Sequence, residues 1–206
     1  MTTFILSFIL WAVVHSITAD ARLKERVRQS LGDRAYAGLY RLGYNVFAML
    51  TIAPVLLALW TQVPTTVLWQ MPRPFDLLGS GVRLLGFVGL LVALLQTDIW
   101  EFVGVRQALN YIAGMGDGER PSHLVTNGMY AFVRHPLYFF SLLILWPKPT
   151  MTLQTLLLNL LATAYFWAGS RVEERRLAAE FGEAYTAYKQ RVPGLLPIRF
   201  PVNSEQ

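Results

Sequence analysis

The 206-residue chain is 54% hydrophobic and only 15% charged, carries a formal charge of +5, and has no cysteine. A soluble domain of this length carries charge on about a quarter of its residues, so an ordinary water-facing surface is excluded. Disulfides, thiolate nucleophiles and cysteine-ligated metals are excluded as well. In a membrane chain the positive balance reflects basic loops against anionic lipid and the cytoplasm, and nucleic acid is not an expected partner.

Residues 1–19, 42–72 and 149–170 contain no Asp, Glu, Lys or Arg. Each run can hold the roughly 20 apolar residues needed to cross a ~30 Å hydrocarbon core. In lipid every backbone polar group must be satisfied internally, so these runs are expected to be helices. The expected fold is an all-α integral membrane protein with about five transmembrane helices and a C-terminal cytoplasmic amphipathic helix. The spans fall near 3–18, 44–62, 78–99, 132–146 and 152–170. Residues 1–206 read as one membrane domain, a three-helix part over 1–100 followed by 101–206.

The first span lacks a basic start and a small-residue cleavage site, so it reads as a mature helix rather than a signal peptide. It carries His15-Ser16, and the second carries Tyr44-Asn45. Polar groups at that depth face a bundle interior, lining a tunnel or bonding between helices. Arg83 lies near one end of the third span, close enough to snorkel. Gly114-Met115-Gly116-Asp117-Gly118 lacks the strand–turn–helix setting of a dinucleotide loop and reads as a turn. Trp146-Pro147-Lys148-Pro149 breaks the short fourth span from the fifth, making a tight hairpin. From Arg171 to Gln190, Leu177, Phe181, Ala184, Tyr185 and Tyr188 recur at helical spacing. Gly182 in that stretch is expected to serve close packing, Pro193 ends the helix, and Pro197 and Pro201 keep the tail extended.

Fifteen of the eighteen lysines and arginines fall in 19–43, 100–134 and the tail; only Arg73, Arg83 and Lys148 fall on the other side. The asymmetry places the N-terminus outside and the C-terminus in the cytoplasm, in a bacterial inner membrane.

The candidate chemistry lies on that cytoplasmic side. Residues 121–138 crowd His123, Tyr130, Arg134, His135 and Tyr138 around the start of the fourth span. Pro136 suits a first helical turn, whose free N–H groups attract anions, and Arg134 beside it could clamp a carboxylate in two-pronged fashion. The alternative is an interfacial aromatic belt with Arg134 on lipid phosphate. Glu173-Glu174, just past the fifth span, suits ribose hydroxyls or a cation, or simply complements a helix dipole. His15, His123 and His135 do not form a convincing metal set, and no metal is expected.

The ordered set His123-Leu-Val-Thr-Asn-Gly-Met-Tyr130, Arg134-His135-Pro136-Leu-Tyr138, Glu173-Glu174, Phe181-Gly182, Tyr185, Tyr188, Val192-Pro193 and Leu196-Pro197 resembles the isoprenylcysteine carboxyl methyltransferase family, taken with its bacterial and phospholipid-methylating relatives. The likeness covers about the last 90 residues. It implies an S-adenosylmethionine-dependent methyltransferase with the cofactor at the cytoplasmic face, bound by residues of 101–206. His123, Leu124 and Val125 would flank the cofactor, with Tyr130, His135 and Tyr138 against its methionine or sulfonium part. Glu173 and Glu174 would hold its polar groups. Arg134, His135 and Glu174 would be the catalytic residues. After Tyr138 the family often has a small residue where this chain has Phe139-Phe140, a departure expected to reshape the lipid-side entrance.

The acceptor implied is lipophilic or small: a thiol, a carboxylate or a lipid amine, with membrane lipid as surroundings. Two other readings share the pattern. One is an NADPH-dependent reductase of the sterol-reductase type, although a 2′-phosphate calls for extra basic groups. The other is a non-enzymatic membrane protein on the same scaffold, against which the intact His123, Arg134, His135 and paired glutamates argue.

Overall fold

Charge-free runs of twenty residues or more have only the helix as a way to satisfy their own backbone in lipid. The computed structural model, which describes residues 1–115 and 123–198, shows that outcome. Gly116 to Gly118 of the glycine-rich turn and Pro201 lie outside the described residues. In chain order the elements are α1 (Thr2–Ala19), α2 (Ala21–Leu31), α3 (Asp33–Gln62), β1 (Val67–Gln70), α4 (Phe75–Gln96) and α5 (Ile99–Val103). They continue with α6 (Val105–Ile112), α7 (Met129–Phe132), α8 (Pro136–Leu145), β2 (Thr150–Thr152) and α9 (Leu153–Arg191). Among the described residues α1, α3 and α4 are the helices long and apolar enough to cross a membrane. Their large side chains, among them Leu10, Met49, Leu50, Trp60, Leu84 and Leu95, stay exposed, as a lipid-facing surface requires.

The chain divides into two compact units. The first holds residues 1–66, 97–121 and 152–154. Here α3 begins at Asp33, eleven residues before the expected span, because a charged start suits the part of a helix that stays in water. Tyr40 hydroxyl donates to the Thr18 carbonyl at 2.5 Å, and Tyr44 meets His15 Nε2 at 2.6 Å. Asn45 donates to the Val103 carbonyl at 2.9 Å. The polar residues at depth therefore make bonds between elements of this unit. Asp98 accepts from the backbone N–H of Trp100 and Glu101, starting α5 and ending the third apolar run at Gln96 rather than 99.

The second unit holds 67–96, 122–151 and 155–206. Its frame is α4 packed antiparallel to the stretch from 128 to 147. Gln96 at one end of α4 accepts from the Met129 backbone N–H at 2.9 Å, a Cβ on Gly86 would press on Ile144, and Gly79 at the other end lies against the Pro147 carbonyl. Beyond Gly79, β1 pairs with β2. Arg83 donates to the Ile144 carbonyl at 3.2 Å rather than only reaching for head groups. The expected helix over 132–146 exists only as α8, ten residues or about 15 Å long. Proline at its first turn fixes the start and leaves Val133 to His135 non-helical, ahead of the apolar helix.

α9 departs from expectation in two ways. It does not stop at 170, and its backbone reverses at Gly182 (φ 53°, ψ −123°). A continuous helix would separate Glu174 from Lys189 by about 22 Å; their side chains are 3.2 Å apart. The expected single amphipathic helix over 171–190 is therefore two arms folded back on each other. A Cβ at Gly182 would meet open space, so the glycine serves the positive φ and not close packing.

Candidate functional site

The reversal at Gly182 brings the second arm of α9 back beside Glu174, and the non-helical turn before α8 meets it there. Arg134 is the centre of the assembly. Its Nη2 and Nε lie 2.5 and 3.2 Å from the same oxygen, Glu174 Oε1. Its Nη1 donates to the Val192 carbonyl at 2.6 Å and to the Lys189 carbonyl at 3.2 Å. Its backbone N–H donates to the carbonyls of Pro193 and Gly194. The guanidinium fork thus answers a carboxylate and the unsatisfied carbonyls of a helix C-terminus together.

His135 is buried, with Nδ1 3.3 Å from Glu173 Oε2 and Nε2 3.3 Å from Glu174 Oε1. The imidazole thus has a carboxylate at each ring nitrogen. Burial would raise the Glu174 carboxyl, yet His135, Arg134 and Lys189 hold it far below the usual carboxylate range. Two carboxylates facing Arg134, His135 and Lys189 form a polar network whose members each have a partner, as buried charge requires. Glu174 is 11% exposed and Glu173 37%, so Glu173 is the carboxylate that a ligand can reach.

Two aromatic groups brace the network. Tyr138 stacks on His135 (centroids 5.7 Å apart, 15° between planes) and Phe166 stacks on Tyr138 (5.1 Å, 11°). Tyr188 hydroxyl donates to the Tyr130 carbonyl at 2.6 Å, tying the second arm of α9 to α7. Burial, helped by the charge of Glu173, pushes the Tyr130 phenol up to about 12, so it stays a neutral hydrogen-bond donor.

His123, Leu124 and Val125 are placed elsewhere. With Gln96, Thr126 and Asn127 they line an open cleft of about 270 Å³ at the end of α4. The expected residues therefore fall into two groups: a buried network of Arg134, His135, Glu173 and Glu174 with Tyr130 and Tyr138, and a cleft at His123–Asn127. Gln96 was not legible as a site residue, since it is one polar side chain ending an apolar run. Gly128 follows from it: φ is +58°, and any Cβ there would collide with the Gln96 amide. Lys189 was also missed, because its pairing depends on the reversal at Gly182. A second cleft, about 390 Å³, lies against Arg171, Arg175, Ala178 and Lys189 with Glu174 at its edge.

Residues 3–147 match the family described as NnrU protein. Methanethiol S-methyltransferase 1 of Bradyrhizobium diazoefficiens is 34% identical over 92% of this chain and 64% of its own length. Methanethiol S-methyltransferase of Pseudomonas deceptionensis is 33% identical over 94% of this chain and 71% of its own. Protein-S-isoprenylcysteine O-methyltransferase of Schizosaccharomyces pombe is 31% identical over 54% of this chain and 53% of its own. No solved structure matches significantly. These relatives bear out the resemblance to the isoprenylcysteine carboxyl methyltransferase family read from the sequence.

Proposed function

Because the chain belongs to the NnrU protein family and aligns along nine tenths of its length with methanethiol S-methyltransferases, we propose that it is a membrane methyltransferase that moves a methyl group from S-adenosylmethionine to a small thiol. The observation that carries the reading is the pairing of a mixed polar and apolar cleft with a self-satisfied charge network on neighbouring segments of one unit. The donors fit the cofactor: Gln96, Thr126 and Asn127 offer hydrogen bonds to its amino-acid or nucleoside groups, Leu124 and Val125 offer apolar contact, and Glu173 offers charge to a cation.

When bound, S-adenosylmethionine would supply a methyl carbon activated by its sulfonium sulfur, for transfer to the acceptor's sulfur. The chain's part is alignment and exclusion of water. His135 is enclosed by two carboxylates, so it orients them rather than acting as a base. Arg134 and Glu174 act as positioning residues that hold the loop against the tail. His123 is exposed at the cleft and is free to pass a thiol proton to solvent.

The same reading takes the chain as one membrane domain crossing five times, N-terminus outside and C-terminus in the cytoplasm of a bacterial inner membrane. What supports the count is the antiparallel match of 128–147 to the full length of α4, about 33 Å, with β1 and β2 paired at the far end. The test is labelled-methyl transfer from S-adenosylmethionine to methanethiol in purified protein, beside amines and carboxylates. Labelled dimethyl sulfide is the expected product; transfer only to carboxylates or amines overturns the acceptor class.

A further inference from the structure

The first arm of α9 carries Arg171 and Arg175 four residues apart, which puts both on one helix face a single turn from each other. Both are exposed. Among the described residues no carboxylate pairs with either guanidinium. Like charges at this spacing repel, so the face is short of an anion. The reversal at Gly182 adds to the shortage by returning Lys189 to the same place. Arg171, Arg175, Ala178 and Lys189 line a cleft of about 390 Å³ with Glu174 at its edge. Glu174 does not make up the deficit, because its Oε1 receives Arg134 and its Oε2 lies 3.2 Å from Lys189. Two guanidinium groups are left over, and the small side chain of Ala178 leaves their cleft open.

The position along α9 decides which anion. Residues 149–170 carry no charge, and Arg171 is the first cation after them. Its guanidinium lies over the Trp167 ring, 5.5 Å from the centroid, and Trp167 and Val172 are exposed. An exposed indole at the end of an apolar run belongs at the membrane–water boundary, where the abundant anion is a lipid phosphate. We propose that this cleft binds the phosphate of an anionic phospholipid head group, held by the forks of Arg171 and Arg175 with Lys189 as a point charge. The site is separate from methyl transfer and stands whichever acceptor the protein uses.

The experiment uses the full chain purified in detergent and reads binding of a fluorescent short-chain phosphatidylglycerol. Unlabelled phosphatidylglycerol, phosphatidylcholine and inorganic phosphate compete for it. Four proteins are compared: wild type; Arg171→Gln with Arg175→Gln; Ala178→Glu, which places a carboxylate in the cleft; and Arg22→Gln with Arg26→Gln, which removes the same charge from α2. The melting midpoint without lipid checks that each is folded, and either cleft variant decides if the other fails to fold. Wild type is expected to prefer phosphatidylglycerol to phosphatidylcholine. Both cleft variants should lose at least ~10-fold in affinity, the worth of one charged hydrogen bond, while the α2 variant keeps the wild-type value. Unchanged affinity in a folded cleft variant overturns the proposal, and so does an equal loss in the α2 variant, which would mark general surface charge. Inorganic phosphate displacing the probe as well as phosphatidylglycerol overturns the lipid as occupant.

Discussion

Arg134 and Glu174, forty residues apart, meet through a single carboxylate oxygen: both Nε and Nη2 of the guanidinium converge on Oε1 at 3.2 and 2.5 Å. Oε2 is left to Lys189 at 3.2 Å, and the remaining guanidinium nitrogen to the carbonyls of Lys189 and Val192. Lysine could serve one of these partners but not the whole set. Arg134→Lys is expected to lose about 1.5–3 kcal/mol, one charged hydrogen bond's worth, and to lose methyl transfer with it. Thermal denaturation in detergent reads the stability; an unchanged midpoint would show that the clamp carries no structural weight.

Glu174→Gln leaves Arg134, His135 and Lys189 without their shared anion, and breaking a buried pair costs about 3–5 kcal/mol. Glu173→Gln touches a more accessible carboxylate at His135 Nδ1 and is expected to cost less stability than Glu174→Gln. It should weaken binding of the cationic methyl donor more than of the neutral product S-adenosylhomocysteine. Calorimetry with both ligands separates these effects; equal losses would remove Glu173 from the sulfonium's surroundings.

Gly182→Ala places a side chain at φ +53°, where the cost is about 1–3 kcal/mol although the surroundings are open. The damage should appear as an unpinned second arm of α9: earlier protease cleavage between 183 and 191, with α1, α3 and α4 intact. Uniform loss of resistance would place the effect elsewhere.

The absence of native cysteine makes topology simple to read. Thr65→Cys, between α3 and β1, should react with impermeant thiol reagents in intact cells, and Thr186→Cys should be protected until permeabilisation. The reverse pattern would invert the proposed orientation.

What the sequence made legible follows from the range of the forces involved. Apolar runs report helices locally, so α1 is found within one residue of both bounds, α4 within three, and α3 at its end but not at its start. Asp33, Arg34 and Arg41 hid the wet first turns of α3, because hydropathy falls silent where a helix leaves the membrane. The expected helix over 132–146 was blurred for the opposite reason: Val133 to His135 are non-helical, and only Pro136–Leu145 forms α8. The network's members Arg134, His135, Glu173 and Glu174 were readable as chemistry-bearing residues, but not that they satisfy one another. That outcome depends on the torsion at Gly182, and Lys189 with the carbonyls of Lys189 and Val192 become partners only once that turn is made.

The clamp also dictates an order of birth. Arg134 leaves the ribosome some sixty residues before Gly194, a delay of several seconds at about 5–20 residues per second. For the first forty residues of that interval a charged guanidinium stands at the mouth of α8 without Glu174, and until its end without the full set of carbonyls that Lys189 and Val192 supply. A nascent chain arrested before Val192 would hold α4 and α8 and still lack a carbonyl that completes the clamp.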